Sequence, residues 1–262
     1  MSDERPTEIP SVLACDVGNS ALHVACVRGD EVTDAATFRL GRLEGLGDRL
    51  AELWAHMPAP KRIVACSVNA AGLKALEAAV SAAMQADVLV VGRDTPLPID
   101  TRLDEPQKVG VDRLCAAVAA FDRLGQACVV ADFGSAITID CVNDDGQFLG
   151  GAILPGLSMG ADALHAGTAQ LPRVKLARPD WVIGRNTNEA IVGGLVFAAR
   201  GALRHLVEAY ANELGHWPVV IATGGDAELV CPEVRESELV QAIVPDLVLR
   251  GVAAAYYRTL LK

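Results

Sequence analysis

The sequence predicts an α/β fold built from two duplicated halves, and three observations carry that prediction. Short apolar runs alternate with helical patterns along most of the chain, as sheets covered by helices require. Leu13-Ala14-Cys15-Asp16-Val17-Gly18 and Val130-Ala131-Asp132-Phe133-Gly134 share one layout about half a chain apart. In each, an apolar strand delivers an Asp, a Gly follows two residues later, and a hydroxyl comes after it. A third strand-like run, residues 218–222, leads into Thr223-Gly224-Gly225-Asp226.

Taken in order, residues 12–15 and 21–27 read as a strand, tight turn and strand around Asp16-Val17-Gly18-Asn19-Ser20. Helical spacing occupies 42–56, a buried strand 63–67, an Ala-rich helix 73–86 and a short strand 88–91. The pattern then stops. Pro96, Pro98 and Pro106 break residues 92–109 into a loop of functional length. A helix over 112–124 puts Leu114, Ala117, Val118 and Phe121 on one face, with Gly125 placed to end it. The second hairpin follows, then Gly150 to Gly156 as a strand ending in a turn, and breakers from Gly167 to Asn186. A long helix over 188–214 and a last one over 246–261 complete the chain. The expected organisation is a polar tail over 1–11, a first half over 12–109 and a second over 110–262.

Composition bounds the function. Of the 262 residues, 51 % are hydrophobic and 21 % charged, enough apolar material for a full core and against disorder. The net charge of −10 argues against a nucleic-acid partner, which needs a basic patch. The polar, acidic start lacks the basic start and apolar stretch of a secretory signal and is expected to be a frayed tail. The longest strongly apolar runs, such as 190–199, fall short of the roughly 18 residues of a membrane span. A soluble, cytoplasmic protein with no membrane partner is expected. The seven cysteines (15, 26, 66, 115, 128, 141 and 231) include no C-x-x-C pair, so buried reduced thiols are expected rather than zinc ligands or disulfides.

The paired hairpins suggest phosphate chemistry. A Gly in a tight turn lets consecutive N–H groups and a hydroxyl point at one phosphate, and an Asp at the strand end can hold a cation against it. One D-x-G turn is common; two at corresponding places, with Gly224-Gly225 after a third strand, suggest a nucleotide held in a cleft between halves. The sequence contains neither G-x-x-x-x-G-K-[ST] nor G-x-G-x-x-G. At Gly110-Val111-Asp112-Arg113 two readings stay open. Asp112 can cap the following helix, contributing about 1 kcal/mol, or accept a proton from a substrate hydroxyl.

Asp16-Val17-Gly18-Asn19-Ser20, Gly110-Val111-Asp112-Arg113 and Asp132-Phe133-Gly134-Ser135-Ala136 resemble the three signature motifs of the type III pantothenate kinases. Leu171-Pro172-Arg173-Val174, Ile183-Gly184-Arg185-Asn186-Thr187 and Ala222-Thr223-Gly224-Gly225 also fall where that family has them, so the resemblance spans residues 12–257. It implies two ribonuclease-H-like halves of the actin-like superfamily and ATP-dependent phosphorylation of pantothenate to 4'-phosphopantothenate, the first step of coenzyme A biosynthesis. It also implies a first phosphate-binding loop made of Asp16, Val17, Gly18, Asn19, Ser20, Ala21, Leu22 and His23, with Asp16 near Mg2+. Asp132 would bind a monovalent cation, K+ or NH4+, and Ser135 the nucleotide phosphates. Gly110, Val111, Asp112, Arg113 and Thr187 would hold pantothenate, with Asp112 as proton acceptor, in a homodimer.

Two positions depart from the family pattern. Where the family usually carries a substrate-contacting Tyr, seven positions before Gly110, this chain has Leu103. The usual Asn before Pro106 is Glu105. Both bear on the acceptor, so a kinase of another small hydroxy compound and a non-catalytic regulatory relative are the competing readings. Retention of Asp16, Asp112 and Asp132 speaks for catalysis.

Overall fold

A computed structural model describes residues 9–231 and 239–261. Most of the expected polar tail therefore lies outside the described residues. At its end Pro10 and Ser11 are already buried, and the first strand begins at Ser11.

The elements are β1 (Ser11–Val17), β2 (Ala21–Arg28), β3 (Glu31–Arg39), α1 (Leu46–His56), β4 (Lys61–Ser67), α2 (Ala70–Met84), β5 (Val88–Val90) and α3 (Val111–Leu124). They continue with β6 (Cys128–Phe133), β7 (Ala136–Val142), β8 (Phe148–Pro155), α4 (Leu157–Ala166), α5 (Thr187–Leu214), β9 (Val219–Thr223), α6 (Ala227–Val230), β10 (Ala242–Ile243) and α7 (Leu247–Thr259). The strands form two five-stranded sheets, β3-β2-β1-β4-β5 and β10-β9-β6-β7-β8. Read from the meander edge, both have the order third, second, first, fourth, fifth. The first three strands are antiparallel and the last two parallel to the first. This is the duplicated ribonuclease-H-like arrangement, an α/β fold as expected.

The chain divides into two compact units. The first holds residues 9–100, Asp104–Arg123 and residues 246–261; the second holds Thr101–Leu103 and the described residues of 124–231 and 239–245. The expected division at 109/110 is thus corrected: α3 and the last helix both belong with the first sheet. The reason is packing. Helix α7 lies on β1, β2 and β4, and its Gly251 passes so close to the Cys115 backbone of α3 that a Cβ there has no room. Tyr257 ties its far end to β2 by donating its hydroxyl to Val27 O at 3.0 Å.

In the first unit, Leu13, Cys15 and Val17 of β1 and Leu22 and Val24 of β2 pack against Leu50, Leu53, Leu76 and Val80 of α1 and α2. In the second, Val129, Ala131 and Phe133 of β6 and Ile137 and Ile139 of β7 pack against Val196, Ala199, Leu203 and Val207 of α5. Each side chain of this size contributes about 1.5–3 kcal/mol when fully buried.

Helix α5 is 28 residues long and, by length and composition, apolar enough to cross a membrane, with a mean hydropathy of 1.4 over 18 of its residues. The strongly apolar run 190–199 ends at Arg200, and Arg204, His205 and Glu208 follow on the same helix. Its buried side belongs to the core of the second unit. Ile191 is 7 % exposed, and Leu195 packs against Gly160 of α4. Its exposed positions include the small residues Ala190, Gly194, Ala198 and Gly201 and, further along, Arg204, His205 and Glu208.

Candidate active site

In the first unit the candidate residues gather where β1 ends and α3 begins. Asp16 is the penultimate residue of β1, half-buried, and pairs with His23 on β2 and Cys66 on β4. His23 in turn pairs with Thr37 on β3, and its Nδ1 hydrogen-bonds with Thr37 Oγ1 at 2.9 Å. Directly paired residues share a sheet face, so Cys66, Asp16, His23 and Thr37 form one polar row across four strands. Cys66 donates its thiol to Asp16 Oδ1 at 3.3 Å. A hydrogen bond with Cys115, burial, and the nearby Asp16 and Asp112 push the Cys66 thiol well above its ordinary range, so it remains S–H. The β1–β2 turn closes with Gly18 N donating to Ala21 O at 2.9 Å, and Asn19 and Ser20 are exposed.

Asp112 is the second residue of α3. Its Oδ1 accepts the Arg113 N–H at 2.8 Å, so the carboxylate folds back over the helix start. There it covers Gly110: a Cβ on Gly110 would collide with Asp112 Oδ1 and come within 3.5 Å of Val68 Cγ1. A side chain at this position would displace the carboxylate above it. The structure also answers the question of the cap, since Asp112 lies inside the helix rather than before it.

The second unit repeats the row. Asp132 is the penultimate residue of β6 and pairs with Thr223 on β9 and Thr138 on β7, which pairs with Ile153 on β8. Gly134 N donates to Ala136 O at 3.1 Å, matching the turn at Gly18. Neither Gly18 nor Gly134 has a positive φ, so the expected conformational reason for these glycines is not met. Ideal Cβ atoms would lie 3.3 Å from Ala21 O and 3.4 Å from Asp132 Oδ1 respectively. Gly224 does need to be glycine. Its φ is +92°, and a Cβ would strike Asp132 Oδ1 and the Phe133 backbone. Gly156 closes the other side against the carbonyls of Gly134 and Ser135. Asp226 donates its N–H to Phe133 O at 3.0 Å, and burial raises its carboxyl above the ordinary range.

The acceptor-side residues are distributed as follows. Gly110, Val111, Asp112 and Arg113 are in the first unit. Leu103 is in the second, on a stretch held to β8 by Arg102 N donating to Phe148 O at 2.9 Å. Its side chain packs on Gly150, whose φ is +112°. Glu105 is exposed and pairs with Lys108 at 2.6 Å across the 3-10 turn Pro106–Lys108. Thr187 opens α5 but does not cap it. Asn186 does, accepting the Glu189 N–H at 3.0 Å while the Glu189 carboxylate receives the Asn186 side chain at 2.8 Å and the Arg185 N–H at 2.7 Å.

Sequence reasoning missed Cys66, and it quoted Thr223 only as part of the Thr223-Gly224-Gly225 segment. Both look like ordinary residues at strand ends, and only the strand register places them beside Asp16 and Asp132. Among the described residues, no three His, Cys, Asp or Glu side chains form a metal-binding group. Any cation here would be shared between one or two carboxylates and the phosphates it accompanies, as Mg2+ commonly is. The hard oxygen donors of Asp16 and Asp132 fit that pattern.

Two equivalent sheets, each with an Asp and a glycine turn at the end of its first strand, define a duplicated ribonuclease-H-like fold. Component A of (R)-2-hydroxyglutaryl-CoA dehydratase from Acidaminococcus fermentans shares this fold, with a TM-score of 0.54 and 16 % identity over 97 % of this chain and 100 % of that one. Residues 12–209 match the family model for type III pantothenate kinase. The type III pantothenate kinase of Dehalococcoides mccartyi strain 195 is 32 % identical over 254 residues, 94 % of this chain and 96 % of the relative. That of Syntrophotalea carbinolica is 34 % identical over 256 residues, covering 94 % and 98 %. The chain belongs to the type III pantothenate kinase family.

Proposed function

We propose that the protein phosphorylates pantothenate with ATP, giving 4'-phosphopantothenate and ADP at the first step of coenzyme A biosynthesis. The observation that carries this reading is the Asp112 carboxylate at the start of α3, seated over a glycine that leaves it room, in a chain of this family. In the reaction, the primary hydroxyl of pantothenate loses its proton to Asp112. Its oxygen forms the new bond to the γ-phosphorus as the bond to the ADP oxygen breaks. A carboxylate with a reference pKa near 4 is a weak base, so positioning supplies most of the rate and the proton moves late.

Asp16 through His23 receive the phosphates, with Asp16 at Mg2+. Asp132 holds K+ or NH4+, and Ser135 contacts the phosphates. When bound, these cations neutralise charge on the transferring phosphoryl group. The net charge of −10 makes such local neutralisation necessary. Gly110, Val111, Arg113, Thr187 and Leu103 orient pantothenate. Support for Thr187 is that capping of α5 is left to Asn186.

The protein is proposed to act in the cytoplasm as a homodimer. Support for the dimer is a set of exposed apolar side chains in the second unit, with Val182 85 % and Ile183 79 % exposed, and the small exposed residues Gly194 and Ala198 on α5. The decisive experiment is incubation with ATP, Mg2+, K+ and pantothenate, followed by mass spectrometry of the product. Formation of 4'-phosphopantothenate is expected. ATP consumption only with other hydroxy compounds would reassign the acceptor, and none with any would leave a non-catalytic relative.

A further inference from the structure

The end of β4 holds a side chain that the proposed reaction has not yet used. Cys66 is fully buried and donates to Asp16 Oδ1 at 3.3 Å. On its other side it meets Cys115 of α3, also fully buried. Cys115 stands three residues after Asp112, on the same face of the helix. One thiol therefore links the strand bearing Asp16 to the helix bearing Asp112.

The second unit supplies an internal comparison. Asp132 and Asp16 are equivalent in topology, and the residue paired with Asp132 from the parallel neighbouring strand is Thr223, 4 % exposed. Both strand-end aspartates thus have a small side chain with a hydrogen to donate at the same register position, a thiol in one sheet and a hydroxyl in the other. A β-branched or larger apolar residue would satisfy sheet packing equally well there. What the two positions share is the donor.

We propose that Cys66 is a positioning residue for the phosphoryl transfer, holding the Asp16 carboxylate in the orientation that receives the metal–nucleotide. The inference rests on the reading of Asp16 as the carboxylate at Mg2+. With Oδ1 held by the thiol, the carboxylate is fixed before the nucleotide arrives, and less ordering remains to be done on binding. Groups that orient a metal-bound carboxylate from behind typically change metal affinity about 10- to 100-fold when removed. A thiol is a weak donor, so the low end of that range, about tenfold, is expected.

The test compares Cys66→Ala, Cys66→Val and Cys66→Ser, with Cys115→Ala and Asp16→Asn as references. ATP binding is measured by calorimetry with Mg2+ and again in EDTA, alongside kcat, KM for Mg·ATP and thermal stability. Removing the donor in Cys66→Ala or Cys66→Val should weaken Mg2+-dependent ATP binding about tenfold, raise KM similarly, and leave binding in EDTA unchanged. Cys66→Ser should restore binding to near wild type, because it keeps a donor. Cys115→Ala should disturb the same packing without the Mg2+-specific loss. Equal behaviour of Cys66→Ser and Cys66→Val would overturn the proposal, as would loss of stability with Mg2+-dependent binding intact. If Asp16→Asn binds Mg·ATP like wild type, the reading of Asp16 fails, and this inference fails with it. Loss in Asp16→Asn without loss in Cys66→Val refutes the role of Cys66 alone.

Discussion

The carboxylate of Asp112 lies directly over Gly110, close enough that no Cβ fits beneath it. Gly110→Ala should therefore push the carboxylate aside without removing it, and a displacement of about 1 Å can cost on the order of 10²-fold in rate. Asp112→Asn should lower kcat by about 10²–10⁴, the usual contribution of a general base, while ATP binding and thermal stability hold. Steady-state kinetics with calorimetry checks both. Near-normal turnover in Asp112→Asn would reduce the residue to a brace for the start of α3.

Asp132 has Gly134 and Gly224 beside it, and its Oδ1 would touch a Cβ at Gly134 and collide with one at Gly224. Activity should be well above the sodium level in potassium or ammonium, and Asp132→Asn should erase that preference. Rates measured in chloride salts of the three cations decide it. Equal rates in wild type would remove the monovalent-cation role.

Leu103 offers the acceptor only apolar bulk where the family usually has Tyr. Losing one neutral hydrogen bond costs about 0.5–1.5 kcal/mol, tenfold or less in affinity. Leu103→Tyr should therefore lower KM for pantothenate by up to about tenfold with little change in kcat. Leu103 packs on Gly150, so the ring needs room beside that strand. A KM that rises in the variant would show that the position has been rebuilt around leucine.

His216 and Asp144 give the second unit a pH-dependent tie. His216 Nε2 meets Asp144 Oδ2 at 2.7 Å, and that hydrogen bond raises the imidazole above its ordinary value of 6.5. The Ala127 N–H and His216 together lower Asp144. A raised His pKa contributes stability that is complete below the unfolded value and disappears as pH rises through the folded value. The Asp144 contribution disappears as pH falls through its own lowered value, so the pair acts between the two. His216→Gln should thus lower the melting temperature at pH 5.5 more than at pH 9, by a small margin, since both groups are exposed. A pH-independent difference would show that the ion pair contributes nothing.

Sedimentation at micromolar concentration tests the dimer. A species at twice 27.5 kDa is expected, and Ala198→Arg on the exposed side of α5 should dissociate it. A single monomeric species in wild type would refute it.

Local pattern was enough for much of this protein. The strands around Asp16 and Asp132, their glycine turns, and helices α3, α5 and α7 all follow from apolar runs and breakers a few residues apart. Strand β3 escaped notice because most of its residues are exposed or half-buried, so it carries no clean apolar alternation. Helix α4 escaped because it buries only Leu157 and Ala161. Three further features needed the folded chain. Helix α7 joins the first sheet because Gly251 lets it cross α3, a contact between residues more than a hundred positions apart. Asn186 rather than Thr187 caps α5 because the Glu189 carboxylate turns back onto it. Cys66 reaches Asp16, fifty positions earlier, because β4 pairs in parallel with β1 in one register. Local sequence sets which segments become strands, turns and helices through short-range sterics and hydrophobic periodicity. Which side chains then face each other depends on register and on close backbone approach, and those are settled only when the whole core packs.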